Sequence, residues 1–191
     1  MTRLLLVRHA PTVATERGAF AADESITDEG RVRAGSLVTQ LPEVMRSVSS
    51  PLLRARQTAE AAGLRPELDA RLAECGFGEW TGSTFAELGE RDPQALDGWL
   101  RDPDACPPGG ESLSRFAARV GEWLGDLGAA TAGGTTVAFT HSGVVKVALV
   151  IALGAPLASF WQLVISPLSI TEMVRHDAGW SVVRLNWTAS E

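Results

Sequence analysis

The sequence predicts an α/β domain of three layers, in which a mostly parallel sheet has helices on both faces and ends in a C-terminal strand pair. Arg3–Arg8 and Thr135–Thr140 have the pattern of strands that are buried on both faces. Segments with helical periodicity alternate with these strands, and this alternation favours parallel pairing through crossover helices. Near the C terminus, Ser169–Asp177 and Ser181–Trp187 flank Ala178-Gly179, which predicts a hairpin.

The first predicted helix covers Ile26–Leu41 and is closed by Pro42. Thr27 is its predicted N-cap, and the acidic residues that follow suit the positive end of the helix dipole. The apolar positions recur with helical spacing and form a predicted buried stripe of Val32, Leu37, Val38 and Leu41.

A short strand, Ser47–Ser50, leads into a second predicted helix, Leu52–Gly63, which ends at its glycine. Asp69–Pro108 is rich in glycine, proline and charge and predicts short helices at best. Gly109–Ala130 is strongly amphipathic, and Gly143–Gly154 is an apolar helix. The apolar face of the amphipathic helix consists of Leu113, Phe116, Val120, Trp123, Leu124 and Leu127.

Length and charge restrict the class of protein. A chain of 191 residues fits one domain, predicted as residues 1–191 with a small cap inserted at about 79–111. Hydrophobic residues make up 45% and charged residues 21%, a balance typical of globular proteins. The net charge of −6 argues against a nucleic-acid partner, so any bound anion needs a local basic pocket.

The sequence also predicts a cytoplasmic protein without a membrane partner. Cys75 and Cys106 are the two cysteines, and the apolar run Leu4–Val7 is shorter than a signal-peptide core of about 7–15 residues. The other apolar segment, Val144–Ile165, contains Lys146 and a Gly-Ala-Pro break. This segment therefore predicts two short helices and not a membrane span.

Histidines follow two of the predicted strands directly. The first strand ends in Arg8-His9, and the later one is followed by His141, which precedes a helix. Ligands of open α/β sheets bind at the carboxyl ends of the strands, and a helix N-terminus favours an anion. Arg54 and Arg56 begin the helix after a third strand, at the same edge of the sheet.

Each of these residues also has an ordinary structural interpretation. A single strand-end histidine is more often structural or exposed, and Arg56 is read as part of a solvated helix face. Taken together, Arg8, His9, Arg54 and His141 do not fit packing roles, because burying unpaired charge is costly. His176 lacks this context and is read as structural. The histidines and cysteines do not have the close spacing of a zinc site, so no metal is predicted.

Five segments resemble, in order, the motifs of the histidine phosphatase superfamily, which also contains the cofactor-dependent phosphoglycerate mutases. The resemblance is strong because the ordered set covers most of the chain, whereas an Arg-His pair alone would mean little. The segments are "LLLVRHAPT", "SSPLLRARQTAE", "RLAECGFGEWTG", "PGGESL" and "VAFTHSGVV".

The resemblance implies roles for five residues. His9 would be the nucleophile that forms a phosphohistidine, while Arg8, Arg54 and His141 would hold the phosphoryl oxygens. Glu74 would protonate the leaving alkoxide and then activate water. Spacing alone does not choose between Glu74 and Glu79, but the motif register selects Glu74. The four basic groups supply the positive charge, so neither a metal nor another cofactor is implied.

The sequence departs from the family pattern around the first histidine. Ala10 replaces the signature glycine, and Pro11 replaces a residue that is often glutamate. Thr15 stands where many members have an asparagine near the phosphate. A hydrogen bond from Thr15 to phosphate would therefore be shortened, water-mediated or absent, which affects substrate contacts more than chemistry.

The substrate is predicted only as a small phosphorylated metabolite. The predicted cap contains the aromatic residues Trp80, Phe85 and Trp99. They either belong to the core or line the floor of a pocket for a ring-bearing substrate. The sequence around Trp99 and the segment "PPGGESLSRFAARV" resemble those of the α-ribazole-5′-phosphate phosphatases of cobalamin assembly. A broad-specificity phosphomonoesterase is the other phosphatase function that the sequence allows. A phosphoglycerate mutase and a catalytically silent phospho-ligand-binding protein remain as alternatives. The sequence specifies no oligomeric state.

Overall fold

The computed structural model describes residues 2–130 and 133–188. Its six-stranded sheet has the order β3-β2-β4-β1-β5-β6. Neighbours from β3 to β1 pair in parallel, whereas β5 pairs antiparallel with both β1 and β6. The sheet is therefore mostly parallel with a C-terminal antiparallel pair, as predicted. The strands are β1 (Thr2–Arg8), β2 (Arg46–Ser49), β3 (Glu67–Leu68), β4 (Gly134–Thr140), β5 (Ile170–His176) and β6 (Gly179–Trp187).

Helices and short 3₁₀ turns connect the strands. The 3₁₀ turns are Ser36–Thr39, Ala70–Leu72, Gly78–Trp80 and Leu157–Gln162. The α-helices are α1 (Val13–Arg17), α2 (Asp28–Gly35), α3 (Leu53–Ala61), α4 (Phe85–Arg91), α5 (Pro93–Arg101), α6 (Leu113–Ala130) and α7 (Ser142–Leu153).

Side chains of β1 alternate between two apolar clusters on opposite faces of the sheet. Leu4 and Leu6 pack with the apolar faces of α6 and α7. Leu5 and Val7 pack on the other face with side chains of α2 and α3. Because successive strand residues point to opposite faces, a strand covered on both sides is apolar throughout. The predicted three layers are confirmed.

The buried stripe predicted for the first helix is wrong in part. Val32 and Val38 are 78% and 60% exposed, and the buried positions of this region include Gly30, Ala34 and Leu37. Small residues replace valine on the buried face because α2 lies close to its neighbours; a Cβ on Gly30 would lie 3.2 Å from a proline side chain. The helix also changes to a 3₁₀ turn after Gly35, which shifts the phase of the pattern.

Caps and glycines fix the ends of the predicted helices. The Thr27 side chain accepts a hydrogen bond from the Gly30 amide, which confirms the predicted N-cap. Gly63 and Gly154 follow α3 and α7 with φ of +77° and +58°, a conformation that glycine adopts without strain. Within residues 2–130 and 133–188, none of the helices is long and apolar enough to cross a bilayer.

The segment predicted as a cap contains two short helices, in line with its glycine and proline content. Thr84 caps α4 and Asp92 caps α5, which has Pro93 at its first position. Both helices pack around a third apolar cluster, formed by Phe20, Trp80, Leu88, Leu96 and Trp99. The single domain with an inserted cap stays a prediction.

Candidate active site

The two strand-end histidines lie side by side because β1 and β4 are neighbours in register. Arg8 pairs with Thr140, so each histidine follows its strand at the same edge of the sheet. The His9 amide donates to the Thr140 carbonyl over 2.9 Å. The ring centroids of His9 and His141 are 5.2 Å apart, with the planes tilted by 60°. Residues separated by more than a hundred positions thus meet in one site.

His9 is buried, and its ring orientation is fixed by two hydrogen bonds. Its Nδ1–H donates to the Ala10 carbonyl over 2.7 Å. The proton is therefore on Nδ1, and Nε2 accepts a hydrogen bond of 3.2 Å from the Arg54 Nε–H. Burial, followed by the positive charges of Arg54 and Arg8, lowers the pKa of His9 well below its ordinary value. A neutral imidazole with its lone pair on Nε2 is the nucleophilic form, and the hydrogen bond from Arg54 must give way when Nε2 attacks.

His141 is fully buried beside His9. Its Nε2 lies 2.7 Å from the Ser50 Oγ. Its Nδ1 has no hydrogen-bond partner in the part of the chain that the structure describes. Burial lowers the pKa of His141 well below its ordinary value, and the charge of Arg54 adds to this effect. Such an unpaired buried nitrogen is suited to a ligand contact.

Both imidazoles are expected to be neutral at pH 6.5, where an unperturbed histidine is half protonated. Since the unfolded chain binds more protons than the folded one below this pH, the free energy of unfolding should fall as the pH falls through the lowered pKa values. Ring ¹⁵N chemical shifts of His9 and His141, followed through a pH titration, test the prediction. A half-protonated ring at or above pH 6.5 would contradict it.

Two guanidinium groups surround His9. Arg54 is 1% exposed and donates from Nη1 to the Ala22 carbonyl over 2.8 Å. Arg8 donates from Nη1 to the Ile165 carbonyl, while its Nε is buried without a partner among the described residues. Burial lowers the pKa of both side chains, but arginine keeps its charge in proteins. The site therefore holds two fixed positive charges and an unpaired donor.

The Glu74 carboxylate lies close enough to Arg8 and Arg54 for their charges to interact. It accepts hydrogen bonds from the Gly143 amide over 3.2 Å and from the Cys75 amide over 3.1 Å. The negative charge of Glu74 interacts favourably with the positive charges of the Arg8 and Arg54 guanidinium groups. Glu79 is exposed. The structure thus brings Glu74, and not Glu79, to the four basic residues, in agreement with the motif register.

Arg119 holds the backbone that carries Glu74, a contact that the sequence analysis missed. Its guanidinium donates to the carbonyls of Arg71, Ala73 and Glu74 over 2.8, 2.8 and 3.0 Å. It also forms a two-point ion pair of 2.8 Å with Glu111, which belongs to the "PGGESL" motif. Glu111 precedes α6 and Arg119 lies within it, so no helical spacing rule signals this pair in the sequence. This cluster fixes the position of Glu74 relative to α6.

Residue 143 must be glycine because the Glu74 carboxylate occupies the space that a side chain at this position would need. A Cβ at Gly143 would lie 2.1 Å from the Glu74 Oε1 and 2.8 Å from the Phe116 ring. Gly143→Ala is therefore expected to displace the carboxylate and to lower kcat by about 10- to 100-fold. The measurement is steady-state hydrolysis of an alkyl phosphate, together with thermal unfolding.

Gly125→Ala provides the matched control, because Gly125 lies on the exposed face of α6 with no atom within 4 Å of the added Cβ. It should leave kcat unchanged and stabilise the helix by roughly 0.5–1 kcal/mol. Equal kcat values for the two alanine variants would show that the Glu74 position does not limit turnover.

Thr15 is engaged in the cap of α1. Its Oγ lies 2.8 Å from the Thr12 Oγ and accepts from the Thr12 amide over 2.6 Å. The two residues form a reciprocal capping box at the start of this five-residue helix. The hydroxyl at the position where relatives have asparagine is thus committed to backbone capping.

An apolar cavity of about 150 Å³ adjoins Glu74, and we call it the aromatic cavity. Phe85 and Trp99 line it, whereas Trp80 is 2% exposed and belongs to the cap core. Trp80 thus belongs to the core and Phe85 to the cavity lining, while Trp99 contributes to both. Several of the lining residues were not predicted from the sequence. The lining residues are Phe20, Glu74, Cys75, Phe77, Phe85, Trp99, Leu113, Ser142, Gly143, Lys146, Phe160 and Trp161.

Two further basic residues lie away from the site. Arg56 lines a separate cavity of about 680 Å³ together with Arg65 and Glu60. Its Nε is buried without a hydrogen-bond partner among the described residues, so the prediction of a solvated helix face is wrong for this part of the side chain. His176 is exposed at the end of β5. Neither residue is in contact with the pair His9 and His141 in the described structure.

Curated relatives match most of this chain. The bifunctional protein Rv2228c of Mycobacterium tuberculosis is 33% identical over 96% of the chain, and the chain spans 53% of its length. The putative phosphoserine phosphatase 2 of Hydrogenobacter thermophilus is 30% identical over 97% of the chain and 96% of its own. The adenosylcobalamin/alpha-ribazole phosphatase of Salmonella typhi is 30% identical, with 84% of each chain covered. The chain thus spans about half the length of the first of these relatives.

A solved structure agrees with the fold. Mycobacterial hydrolase 1 superposes with a TM-score of 0.87 at 28% identity, covering 98% of this chain and 99% of the other. The sequence model of the histidine phosphatase superfamily, branch 1, matches residues 4–188. Because this match extends over nearly the whole sequence, the chain belongs to branch 1 of the histidine phosphatase superfamily.

Proposed function

We propose that the protein is a metal-independent phosphatase that hydrolyses small phosphomonoesters through a phosphohistidine on His9. The observation that carries the proposal is the convergence on one site of the His9 Nε2, the Arg54 guanidinium and the His141 ring, 5.2 Å from that of His9. The phosphatase names of relatives at 30% identity support the hydrolytic reaction.

The first step is the transfer of the phosphoryl group to His9. The Nε2 lone pair forms a bond to phosphorus as the P–O bond to the leaving alcohol breaks. Glu74, protonated at this stage, gives its proton to the leaving oxygen. The Nδ1–H bond to the Ala10 carbonyl supports this step, because it keeps Nε2 unprotonated and stabilises the positive charge that develops on the ring.

The second step releases phosphate. The Glu74 carboxylate takes a proton from a water molecule, whose oxygen attacks phosphorus while the N–P bond breaks. The bonding electrons return to Nε2, so that His9 is again neutral and Glu74 again protonated. In both steps, Arg8, Arg54 and the His141 ring would hold the phosphoryl oxygens and stabilise their charge. The unpaired Arg8 Nε and His141 Nδ1 support this assignment.

The first substrate to test is α-ribazole-5′-phosphate. A relative named for this activity supports it. A relative of equal identity is named for phosphoserine, so a broad-specificity phosphomonoesterase is tested alongside.

We further propose a cytoplasmic enzyme that acts on a small metabolite without a nucleic-acid or membrane partner, which the net charge of −6 supports.

The test is hydrolysis of p-nitrophenyl phosphate in excess chelator, followed by a panel of α-ribazole-5′-phosphate, phosphoserine and alkyl phosphates. Turnover that is unaffected by the chelator and an acid-labile phosphoenzyme are expected. Interconversion of phosphoglycerates with a bisphosphate primer, without hydrolysis of other esters, would instead indicate a mutase. Phosphate binding without any turnover would indicate a silent binding protein, and either result would overturn the proposal.

A further inference from the structure

Lys146 is the only lysine among the 191 residues, in a chain that otherwise uses arginine for its fixed positive charges. It lies on the apolar helix α7, between the fully buried Val145 and Val147. Most of the residues that line the aromatic cavity are apolar or aromatic, and Lys146 is the only cation among them. A cation in this position does not contribute to an exposed, solvated helix face.

The Lys146 ammonium has few protein contacts. Its Nζ lies 4.9 Å from the centroid of the Phe160 ring, a cation–π contact. Within residues 2–130 and 133–188 it forms no salt bridge or hydrogen bond, while Glu74 acts on it through charge alone. Burial lowers its pKa, which reflects the cost of placing the charge in apolar surroundings. Three N–H donors remain available to a molecule that enters the cavity.

The size and lining of the aromatic cavity restrict that molecule. The cavity volume of about 150 Å³ accommodates one six-membered ring, and the open side of the cavity leaves room for the groups that the ring carries. Phe20, Phe77 and Trp161 provide aromatic faces and edges around it. Glu74 lies in the wall, so a leaving group that occupies the cavity would have its ester oxygen next to the proposed acid.

We propose that Lys146 determines substrate specificity by binding a carboxylate, or a similar anionic acceptor, on a leaving group whose body is one aromatic or equally flat apolar ring. The proposal rests on the proposed phosphatase function. The ring fills the aromatic cavity, and the anionic group pairs with the ammonium at its wall. This pairing offsets the burial of the Lys146 charge.

The kinetic test compares phenyl phosphate with 4-carboxyphenyl phosphate, two esters that differ only in the carboxylate on the ring. The wild-type protein should prefer the carboxylated ester. Lys146→Met, which keeps the length of the side chain, should lower kcat/KM for this ester about 10- to 100-fold more than it lowers kcat/KM for phenyl phosphate. Lys146→Arg should restore most of the preference. An equal loss of kcat for both esters in Lys146→Met would overturn the proposal, since Lys146 would then act through Glu74.

A binding measurement separates this proposal from the phosphatase function. Because Lys146 is the only lysine, ¹⁵N-lysine labelling gives a single Nζ signal without assignment by mutation. At equal occupancy, 4-hydroxybenzoate should shift this signal further than phenol does, because only the benzoate places an anion on the ammonium, whether or not the protein hydrolyses esters. If esters are not hydrolysed but the signal shifts, the phosphatase proposal fails and the anion site stands. If esters are hydrolysed without a shift or a preference, the Lys146 proposal alone is wrong.

Discussion

Substitution of His9 by alanine is expected to lower kcat by at least about 10⁴-fold, because the proposed reaction loses its nucleophile and no other group replaces it. The Nε2 atom of His9 is aimed by its Nδ1–H bond to Ala10, and the neighbouring His141 ring is tied through Nε2 to Ser50. Rapid acid and alkaline quenching with ³²P-labelled substrate provides the measurement. The wild-type protein should carry an acid-labile, alkali-stable label, and His9→Ala should carry none.

His176→Ala is the matched control, because this third histidine is exposed at the end of β5. It should retain the activity and the phosphoenzyme of the wild type. Binding of inorganic phosphate to His9→Ala, through Arg8 and Arg54, would show that the variant is folded and its anion site intact. A phosphoenzyme that persists in His9→Ala would assign the covalent step to another residue.

The layers of the fold were predictable because burial on both faces leaves a simple pattern. A strand such as Arg3–Arg8 has apolar residues at successive positions only when both of its faces are covered. The ends of such strands also determine where polar residues meet, which is why His9 and His141 could be paired without knowledge of the structure. The pairing depended only on both strands being parallel neighbours, as they are.

The stripe of α2 could not be predicted because pattern rules assign burial by side-chain size. Val32 and Val38 are large and apolar but exposed, while Gly30 and Ala34 are buried. Close approach of the chain around Pro11 selects the small residues, and that approach is a property of the tertiary structure. The sequence of α2 alone does not contain this information.

The supporting residues of the site were missed for a related reason. Arg119 binds backbone carbonyls of residues 71, 73 and 74, which have no side-chain signature in the sequence. Lys146 was noted only as a charge that argues against a membrane span. Its contact with Phe160 and its place in the aromatic cavity depend on how the chain turns back after α7. Sequence motifs identify the reacting groups better than the residues that position them.

The second large effect is expected for Glu74→Gln, which should lower kcat by about 10²- to 10⁴-fold for esters with poor leaving groups. The Gly143 and Cys75 amides donate to different oxygens of the carboxylate, so the glutamine carbonyl can keep only one of these two hydrogen bonds. The glutamine side chain has nearly the same size and shape as that of glutamate. It cannot donate an acidic proton to an alkoxide. Esters such as p-nitrophenyl phosphate, whose leaving group needs no proton, should lose far less in the phosphorylation step. The measurement is single-turnover formation of the phosphoenzyme across a series of leaving groups.

Glu79→Gln is the control for this prediction, because Glu79 is the exposed carboxylate five residues further on. It should leave the whole leaving-group series unchanged. In Glu74→Gln, dephosphorylation should also slow, by a factor that does not depend on the original ester, since the phosphohistidine is the same for all. A loss in Glu74→Gln that is equal for good and poor leaving groups in the first step would mean that Glu74 does not protonate the alkoxide. The proton would then come from another acid, and Glu74 would act only through its charge beside Arg8 and Arg54.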